Sequence, residues 1–246
     1  MSGLVFISGA SSGLGAALAD TLPFEARCID ISRRGAAGLE SVRADLSSPE
    51  GWDRTAEAFE RELDGFRGER AVFVHAAGTL EPIELAARAG ADAYRRAILL
   101  NAAAGPVLGQ AFLSALGRAR TRATLAMVSS GAAFLVYPGW SVYGPGKAAL
   151  DHWVRTVAAE PAPPRGSGCR LLSIAPGILD TAMQERARSQ DAERFGWVEE
   201  FRQLKRGGSL REPREAAREI WEILLGDAPS GSVIDLHRPA GSDDVD

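Results

Sequence analysis

The glycine-rich turn near the N-terminus is the feature that most limits how this chain can fold. A short apolar run at Leu4–Ile7 leads into a G-x-x-x-G-x-G pattern, and a helical pattern follows from Ala16 to Leu22. Glycines in such a turn let backbone N–H groups approach a pyrophosphate, which then rests on the N-terminus of the helix. The pattern predicts a dinucleotide-binding turn, and its candidate residues are Gly9, Ser11, Ser12, Gly13, Leu14 and Gly15.

Apolar runs alternate with helical patterns along the rest of the chain. Alternation of this kind predicts a parallel sheet with helices on both faces. With 246 residues and 46% apolar content, the chain is long enough to bury one sizeable core. We therefore predict an α/β fold, a single domain over residues 1–246 with a doubly wound, seven-stranded parallel sheet of the Rossmann type. The candidate strands are Leu4–Ile7, Arg27–Ile31, Ser41–Arg43, Ala71–His75, Thr124–Val128, Arg170–Ile174 and Ser232–Leu236.

Composition and charge argue against several classes of protein. The net charge of -4 gives no indication of nucleic-acid binding, and no uninterrupted apolar stretch is long enough to span a bilayer. Cys28 and Cys169 fall in candidate strands, and we interpret them as buried thiols of a cytoplasmic protein. The 3 histidines are isolated and lack metal-ligand spacing, so no metal site is predicted.

Ser130, Tyr143 and Lys147 form the most informative group of polar residues. If Tyr143 begins a helix, Lys147 lies one turn further on the same face, close enough to act on the phenol. A phenol has an unperturbed pKa of roughly 10, and a nearby ammonium lowers the pKa because it favours the phenolate. An activated tyrosine can donate a proton to a developing alkoxide, while a serine hydroxyl polarises the carbonyl. The group therefore predicts carbonyl reduction.

Together these patterns resemble the short-chain dehydrogenase/reductase family. The resemblance runs from about Leu4 to His237 and rests on the glycine turn, the Ser130 and Tyr143-x-x-x-Lys147 group, the Pro176–Thr181 segment and Asn101. It implies that Asn101 holds a water that continues a proton path from the lysine. It also implies contacts with the nicotinamide carboxamide and with the adenine. The further cofactor residues it implies are Asp45, Leu46, Ala77, Gly78, Pro176, Gly177, Ile178 and Thr181.

The end of the second candidate strand bears on the choice of nicotinamide cofactor. A carboxylate at this position binds the ribose 2′-hydroxyl of NAD, whereas an arginine accepts the 2′-phosphate of NADP. The family resemblance places Ser32 at the acidic position of NAD-specific members, followed by Arg33 and Arg34, and so implies NADP(H). Asp30 leaves an alternative open, because it lies two residues earlier on the same strand face and a change of register would favour NAD.

The sequence departs from the family pattern at two places. His75-Ala76-Ala77-Gly78 replaces the usual Asn-Asn-Ala-Gly, and we expect a local cost in stability without loss of chemistry. Gly144 and Gly146 lie between the candidate tyrosine and lysine, and two glycines cost a helix interior up to about 2 kcal/mol relative to alanine. Pro106, in the helix that holds Asn101, is expected to kink it, because proline cannot donate the helical hydrogen bond.

Substrate binding is expected to involve an insert at about 182–212. Trp197, Phe201 and Leu204 form an apolar helical stripe within it, which is either a lid over an aromatic substrate or a surface helix docked on the core. Segments around Trp140, Met183 and Asp235 resemble the sepiapterin reductase branch and the related benzil reductases. In that branch an acid at the position of Asp235 anchors a pterin; the alternative is a carboxylate on an edge strand facing water.

We therefore expect an enzyme that uses NADPH to reduce a ketone or vicinal dicarbonyl, sepiapterin-like or benzil-like, to a secondary alcohol. The rival interpretations are NAD-dependent oxidation of a secondary alcohol and a non-catalytic NADP sensor. The expected partner is a small-molecule carbonyl compound, aromatic or pterin-like, with no nucleic acid and no membrane. The resemblance also implies a homodimer or homotetramer, and the acidic tail at 239–246 is expected to be frayed.

Overall fold

The computed structural model describes residues 3–117, 121–161 and 168–237, and within these ranges the predicted sheet is present. Its order is β3-β2-β1-β4-β5-β6-β7, and every neighbouring pair is parallel. Each candidate strand is confirmed, most of them one or two residues longer than the pattern indicates. The strands are β1 Gly3–Ser8, β2 Ala26–Ser32, β3 Glu40–Arg43, β4 Arg70–His75, β5 Arg122–Val128, β6 Cys169–Ala175 and β7 Val233–Asp235.

Helices cover both faces of the sheet, which is why its central strands are almost continuously apolar. One face is packed by residues of α2, α4 and α5, including Phe59, Phe112 and Leu150. The other is packed by α1 and α8, where Trp221 is 1% exposed. The helices that form these layers are α1 Gly13–Asp20, α2 Pro49–Leu63, α3 Ala91–Ile98, α4 Ala104–Leu116, α5 Tyr143–Ala158 and α8 Pro213–Leu225.

Two further helices lie within the predicted insert. They are α6, Ala182–Arg188, and α7, Val198–Arg206. Together with the loop after β5 they enclose a separate apolar cluster that contains Trp140, Phe195 and Phe201. The insert therefore has a small core of its own next to the carboxyl ends of the strands. The predicted frayed tail at 239–246 lies outside the described residues.

The helix that holds Asn101 is irregular, although not as a simple proline kink. Between α3 and α4 the chain makes a π-helical turn over Leu99–Ala103, in which the Ala104 N–H donates to the Leu99 carbonyl. The irregularity comes just before Pro106, whose missing N–H cannot continue regular helical bonding. The widened turn contains Asn101, so the expected break in the helix falls on the candidate residue itself.

The continuous helical segment Ala91–Leu116 is long and apolar enough, by length and composition alone, to cross a membrane. No such stretch is expected from the sequence. In the structure, Ala104, Leu108, Phe112 and Leu116 pack in the core against the sheet. Ile98 and Val107 of the same segment are exposed.

Cys28 and Cys169 lie in β2 and β6, as predicted, and both are free thiols. The expectation that they are buried is wrong in degree, because both residues are partly exposed. Each lies at or near the start of its strand, where less of the covering layer reaches. Burial nevertheless raises the pKa of Cys28 to about 11 and that of Cys169 to about 12, so both are neutral thiols at physiological pH.

Candidate active site

A cavity of about 630 Å³ opens beyond the carboxyl ends of the strands, where doubly wound sheets bind their ligands. All but one of the predicted site residues line it, and Asn101 packs behind them. At the glycine turn and the second strand these are Gly9, Ser11, Ser12, Gly13, Leu14, Gly15, Arg33 and Arg34. From the remaining strand ends and loops come Asp45, Leu46, Ala77, Gly78, Ser130, Trp140, Tyr143, Lys147, Pro176, Gly177, Ile178, Thr181, Met183 and Asp235.

The glycine turn has the geometry that a dinucleotide requires. Gly9 and Gly13 have φ angles of +80° and +55°, which only glycine adopts readily. A β-carbon on Gly15 would lie 2.3 Å from the Gly9 carbonyl oxygen, so the close approach of strand and helix depends on its absence. The turn ends at the N-terminus of α1, which is a favourable place for a phosphate. The residues of the turn therefore fit the pyrophosphate of a dinucleotide.

The end of β2 and the turn after it differ in exposure: Asp30, within the strand, is buried, whereas the arginines of the turn are exposed. Asp30 is fully buried, and its carboxylate accepts a hydrogen bond from the Ser32 hydroxyl at 2.7 Å. The same hydroxyl accepts from the Gly35 N–H at 3.1 Å, which shapes the turn. Arg33 and Arg34 are exposed and line the cavity. The two arginine side chains therefore border the crevice, and the Asp30 carboxylate does not.

Arg96 is a cavity residue that the sequence analysis missed. It lies on α3, lines the cavity and donates to Asp45 Oδ2 at 3.0 Å, while Asp45 Oδ1 accepts from the backbone N–H and the hydroxyl of Ser47. These hydrogen bonds and the charges of Arg96 and Arg33 outweigh burial and lower the pKa of Asp45. The only sequence signal for this contact is the polar position of Arg96 on a helix next to the family's asparagine.

Ser130, Tyr143 and Lys147 meet in the cavity, as their spacing predicts. Tyr143 begins α5 and is 8% exposed, and Lys147 is one turn further along and 3% exposed. Lys147 Nζ lies 5.6 Å from the centre of the Tyr143 ring and donates to the Val128 carbonyl at 2.7 Å. The Ser130 hydroxyl lies near enough to Tyr143 to act on the pKa of its phenol, which it lowers. A hydroxyl, a phenol and an ammonium thus converge on one space.

The protonation of Tyr143 differs from the prediction. Burial raises the pKa of its phenol, and the nearby Ser130 hydroxyl opposes this rise only in part. The predicted lowering by Lys147 is wrong for this structure, because the ammonium is directed at the Val128 carbonyl. Burial also lowers the pKa of Lys147 to about 8, while the charge of Asp151 opposes that fall. Tyr143 is therefore a neutral phenol, the form that donates a proton.

The Asn101 side chain forms hydrogen bonds with backbone groups and is not among the residues that line the cavity. It is 1% exposed, its Oδ1 accepts from the Thr79 N–H at 2.9 Å, and its Nδ2 donates to the Thr79 carbonyl at 2.8 Å. A longer contact of 3.5 Å joins Nδ2 to the Val142 carbonyl just before Tyr143. Its side chain therefore holds the loop after β4 against the start of α5. The water relay stays a prediction.

His75 and Ser8 supply a brace where the family's asparagines are missing. The Ser8 hydroxyl accepts from the backbone N–H groups of Ala76 and Ala77, each at 3.1 Å, and shares a hydrogen bond of 3.0 Å with His75 Nδ1. Because the two N–H groups occupy both lone pairs of the hydroxyl, we assign its proton to the bond with Nδ1. The imidazole proton therefore lies on Nε2. Burial, and secondarily the charge of Lys147, lower the pKa of His75 to about 3. This brace joins the ends of β1 and β4, while His75 Nε2 is buried without a partner among the described residues. The expected local cost in stability stays a prediction.

Gly144 and Gly146 allow α5 to pack unusually closely on its neighbours. A β-carbon on Gly146 would lie 2.7 Å from the Asn101 Cβ, and one on Gly144 would lie 2.7 Å from the Ala132 carbonyl oxygen. The first contact joins α5 to the π-helical turn and the second joins it to the segment after Ser130. The glycines thus place the tyrosine and lysine between these two segments.

The substrate end of the cavity is aromatic. The Trp140 ring stacks on Phe195 with centres 4.8 Å apart and meets Phe201 edge-on at 5.3 Å. Tyr137 packs on Trp140 at 4.9 Å, and Trp140 meets Tyr143 at 5.4 Å. Tyr137, Trp140, Phe201 and Met183 line the cavity beside the candidate catalytic group. Such walls suit a flat, apolar ligand.

The structure shows the predicted apolar stripe docked on the domain, and its role as a lid over substrate stays a prediction. Phe201 is 7% exposed, packs in the aromatic cluster and lines the cavity. Trp197 is 42% exposed and meets the Tyr137 ring edge-on at 5.4 Å. An ion pair of 2.9 Å between Arg186 of α6 and Glu81 joins the insert to the loop after β4. The insert therefore docks on the domain and also forms a cavity wall.

Asp235 lies at the end of β7 and also lines the cavity. It is half-buried, and its Oδ1 accepts from the His237 N–H at 2.9 Å. The register pairs it with Ala175, immediately before the Pro176 loop. Asp235 thus stands at the carboxyl end of the edge strand β7 and borders the crevice, and its role as a substrate anchor stays a prediction.

Comparison with known proteins gives consistent matches. Residues 3–192 match the family model described as short chain dehydrogenase. The benzil reductase of Bacillus subtilis (strain 168), described as forming (S)-benzoin, is 30% identical over 241 residues, covering 95% of this chain and 98% of that protein. The sepiapterin reductase of Xenopus laevis is 31% identical over 205 residues, 79% of this chain and 73% of that protein.

Solved structures agree in fold over nearly the whole chain. The KRED1-Pglu enzyme is 26% identical, with a TM-score of 0.77 over 94% of this chain and 99% of that one. The short-chain dehydrogenase/reductase YIR035C from Saccharomyces cerevisiae has a TM-score of 0.79 at 23% identity and covers 98% of both chains. This second likeness concerns the fold alone.

Proposed function

The chain belongs to the short-chain dehydrogenase family, whose members are oxidoreductases, and on this premise we propose that it uses NADPH to reduce an aromatic ketone or vicinal dicarbonyl to a secondary alcohol. The observation that carries the proposal is the convergence of Ser130, Tyr143 and Lys147 in the cavity that the glycine turn also lines. A sensor of the cofactor would have no use for all three side chains. Nicotinamide bound here would supply hydride to the carbonyl carbon.

Each member of the catalytic group has a separate task in this proposal. The Ser130 hydroxyl orients the substrate's carbonyl oxygen, and Tyr143 gives that oxygen its proton as the alkoxide develops. Burial keeps Tyr143 protonated, because it raises the pKa of the phenol. The Lys147 ammonium binds the nicotinamide ribose and places a positive charge 5.6 Å from the centre of the Tyr143 ring. Asn101 supports this arrangement by holding Thr79 and the start of α5.

The preference for NADPH rests on the arginines after β2. Arg33 and Arg34 are exposed toward the cavity, whereas Asp30 is buried and engaged by Ser32. A guanidinium attracts a 2′-phosphate, and a buried carboxylate cannot reach a ribose 2′-hydroxyl. Ser11, Ser12 and the turn glycines would hold the pyrophosphate, and Asp45 and Leu46 would border the adenine.

The substrate class rests on the aromatic wall and on the relatives. Tyr137, Trp140 and Phe201 give the substrate end flat apolar surfaces. The relatives are called benzil reductase and sepiapterin reductase, and each of these two named substrates carries a ketone attached to a conjugated ring. A ketone or vicinal dicarbonyl beside a flat ring therefore suits this chain as well.

The first test follows NADPH oxidation by the purified protein with benzil, 1-phenyl-1,2-propanedione and sepiapterin. We expect turnover of at least one of these compounds with NADPH and weaker turnover with NADH. No turnover of any dicarbonyl, together with oxidation of secondary alcohols by NAD, would overturn the proposal. Because Asp235 lines the cavity, Asp235→Asn separates the substrates: selective loss of sepiapterin turnover would identify a pterin anchor, and equal effects on all substrates would exclude one.

The second test concerns the cofactor. Arg33→Ala should raise the KM for NADPH by about tenfold or more, since a charge-assisted hydrogen bond contributes roughly 1.5–3 kcal/mol, and should leave the KM for NADH nearly unchanged. Arg95→Ala is a matched control, because Arg95 is exposed on α3 and pairs with Asp92. An unchanged preference in Arg33→Ala would mean that this residue does not bind the 2′-phosphate.

A further inference from the structure

Asp151 is a buried carboxylate for which the proposed reaction has no direct use. It lies on α5 four positions after Lys147 and so one turn further along the same helical face. Asp151 is 1% exposed and Lys147 is 3% exposed. A buried charge is costly unless other charges and hydrogen bonds compensate for it. The two side chains therefore lie where each can compensate for the other.

A hydroxyl on the sheet holds the carboxylate of Asp151 in place. Its Oδ1 accepts from the Ser173 hydroxyl of β6 at 2.5 Å. Within the described residues, Oδ2 and the Ser129 hydroxyl have no partner at hydrogen-bonding geometry, yet Ser129 lowers the pKa of Asp151. A small rotation would join them. Arg155 and Lys147 also lower this pKa, although burial, which raises it, is the larger effect.

Lys147 has few other groups to stabilise its charge. Its ammonium donates to the Val128 carbonyl at the end of β5, and the phenol of Tyr143 lies on the same helix. From β4 it faces His75, which is neutral because burial lowers the pKa of the imidazole to about 3. Asn101, on the π-helical turn, is neutral as well. Of Asp151 and the neighbours named here, Asp151 alone carries a negative charge.

We propose that Asp151 is a positioning residue that keeps Lys147 in its ammonium form and thereby sets the upper pH limit of the reaction. Burial alone disfavours the ammonium, and the nearby carboxylate restores it. Ser173 fixes the carboxylate on the side of the helix that faces the sheet. The effect on catalysis rests on the proposed function, whereas the effect on Lys147 does not.

The expected direction follows from the charges. Burial lowers the pKa of Lys147 to about 8, and Asp151 acts against that fall. Removing the carboxylate's charge should lower the pKa further, so the ammonium would be lost at a lower pH. The fraction of active enzyme would then fall at neutral pH. The alkaline limb of the pH profile of kcat/KM should move downward by roughly one pH unit, as expected for a nearby charge.

The chain offers a direct measurement, because Lys147 and Lys205 are its two lysines. Protein labelled with ¹³C at lysine Cε gives one signal for each, and a pH titration of the cofactor-free protein reports both protonation states. Lys205 is an internal reference, since it is partly exposed and pairs with Asp180 on the surface. We expect the Lys147 signal of Asp151→Asn to titrate at lower pH and the Lys205 signal to stay in place.

Two further variants complete the test. Asp151→Ser, a smaller neutral replacement, should shift Lys147 in the same direction and serves if the asparagine variant does not fold. His75→Asn changes another buried group facing Lys147 without changing charge above pH 7, so it should leave the titration of Lys147 in place. An unchanged Lys147 titration in a folded neutral variant would overturn the proposal. Because this readout needs no turnover, failure of the proposed function would appear separately, as inactivity of the wild-type protein.

Discussion

Substitution of Tyr143 by phenylalanine removes one oxygen atom from the buried side chain that borders Ser130 and Lys147. General acid catalysis contributes about 10²–10⁴-fold to rate, so we expect Tyr143→Phe to lower kcat by that order. The ring contacts with Trp140 remain possible, because phenylalanine keeps the ring. Cofactor affinity should therefore change little. Steady-state kinetics and fluorescence titration with NADPH measure the two effects.

Tyr137→Phe is the matched control for this variant. Tyr137 lines the same cavity and packs on Trp140, but its hydroxyl is outside the catalytic group. We expect its kcat to stay within a fewfold of wild type. Comparable loss in both variants would mean that cavity polarity, and not proton donation by Tyr143, limits the reaction. Loss of NADPH binding in Tyr143→Phe would point to a structural role.

At the scale of residues, the sequence was informative where a motif fixes both spacing and chemistry. The spacing from Tyr143 to Lys147 is a helical turn, and the structure brings the two side chains to one cavity with Ser130. The groups that compensate buried or cavity-facing charges were harder to predict from the sequence. Asp151 stands one turn after Lys147 in the sequence, but its burial depends on Ser173 of a distant strand. Arg96 was missed because its partner, Asp45, is 51 positions away.

At the scale of elements, the glycines of α5 give a prediction in which helix propensity and packing disagree. Propensity alone favours Gly146→Ala by up to about 1 kcal/mol. In the structure, the new β-carbon would lie 2.7 Å from the Asn101 Cβ and 3.1 Å from its carbonyl oxygen. Overpacking of this kind costs about 1–3 kcal/mol. We therefore expect Gly146→Ala to lower the free energy of unfolding, measured by urea denaturation, and also to lower kcat.

Gly196→Ala provides the control for this substitution. A β-carbon on Gly196 would have no atom within 4 Å among the described residues, so the variant should keep wild-type stability and activity. A stabilised and fully active Gly146→Ala protein would show that α5 can move away from the π-helical turn without consequence. In that case close packing would not be what positions Lys147.

Strands and helices were predicted well where the apolar pattern along the chain determines them. They were predicted less well where contacts with neighbouring segments determine the local structure. The buried strands are continuous apolar runs, and their positions could be read within one or two residues. The π-helical turn at Leu99–Ala103 could not, because Pro106 indicates an irregularity without specifying its type. The exchange of the family's asparagine for His75 likewise had no visible compensation in the sequence, since the Ser8 hydroxyl that braces it belongs to another strand.

At the scale of the whole molecule, His75 connects the stability of the fold to pH. Burial lowers the pKa of its imidazole from 6.5 to about 3 in the native protein. Between these values the unfolded chain binds a proton that the native chain does not, so the free energy of unfolding falls as the pH decreases through this range. The slope contributed by this one group approaches about 1.4 kcal/mol per pH unit. An asparagine at this position does not titrate, so it would contribute no such pH dependence.

We therefore expect His75→Asn to lose less stability than the wild-type protein between pH 7 and pH 5, as measured by urea denaturation at each pH. Other groups titrate in both proteins, and taking the difference between their two pH dependences removes those contributions. His152→Asn is the control for the exchange of an imidazole for an amide, because His152 is exposed on α5. Parallel curves for wild type and His75→Asn would contradict a buried neutral imidazole. A shallower curve would show that the link between β1 and β4, which also positions the loop after β4 beside the cofactor crevice, is maintained at a cost in acid stability.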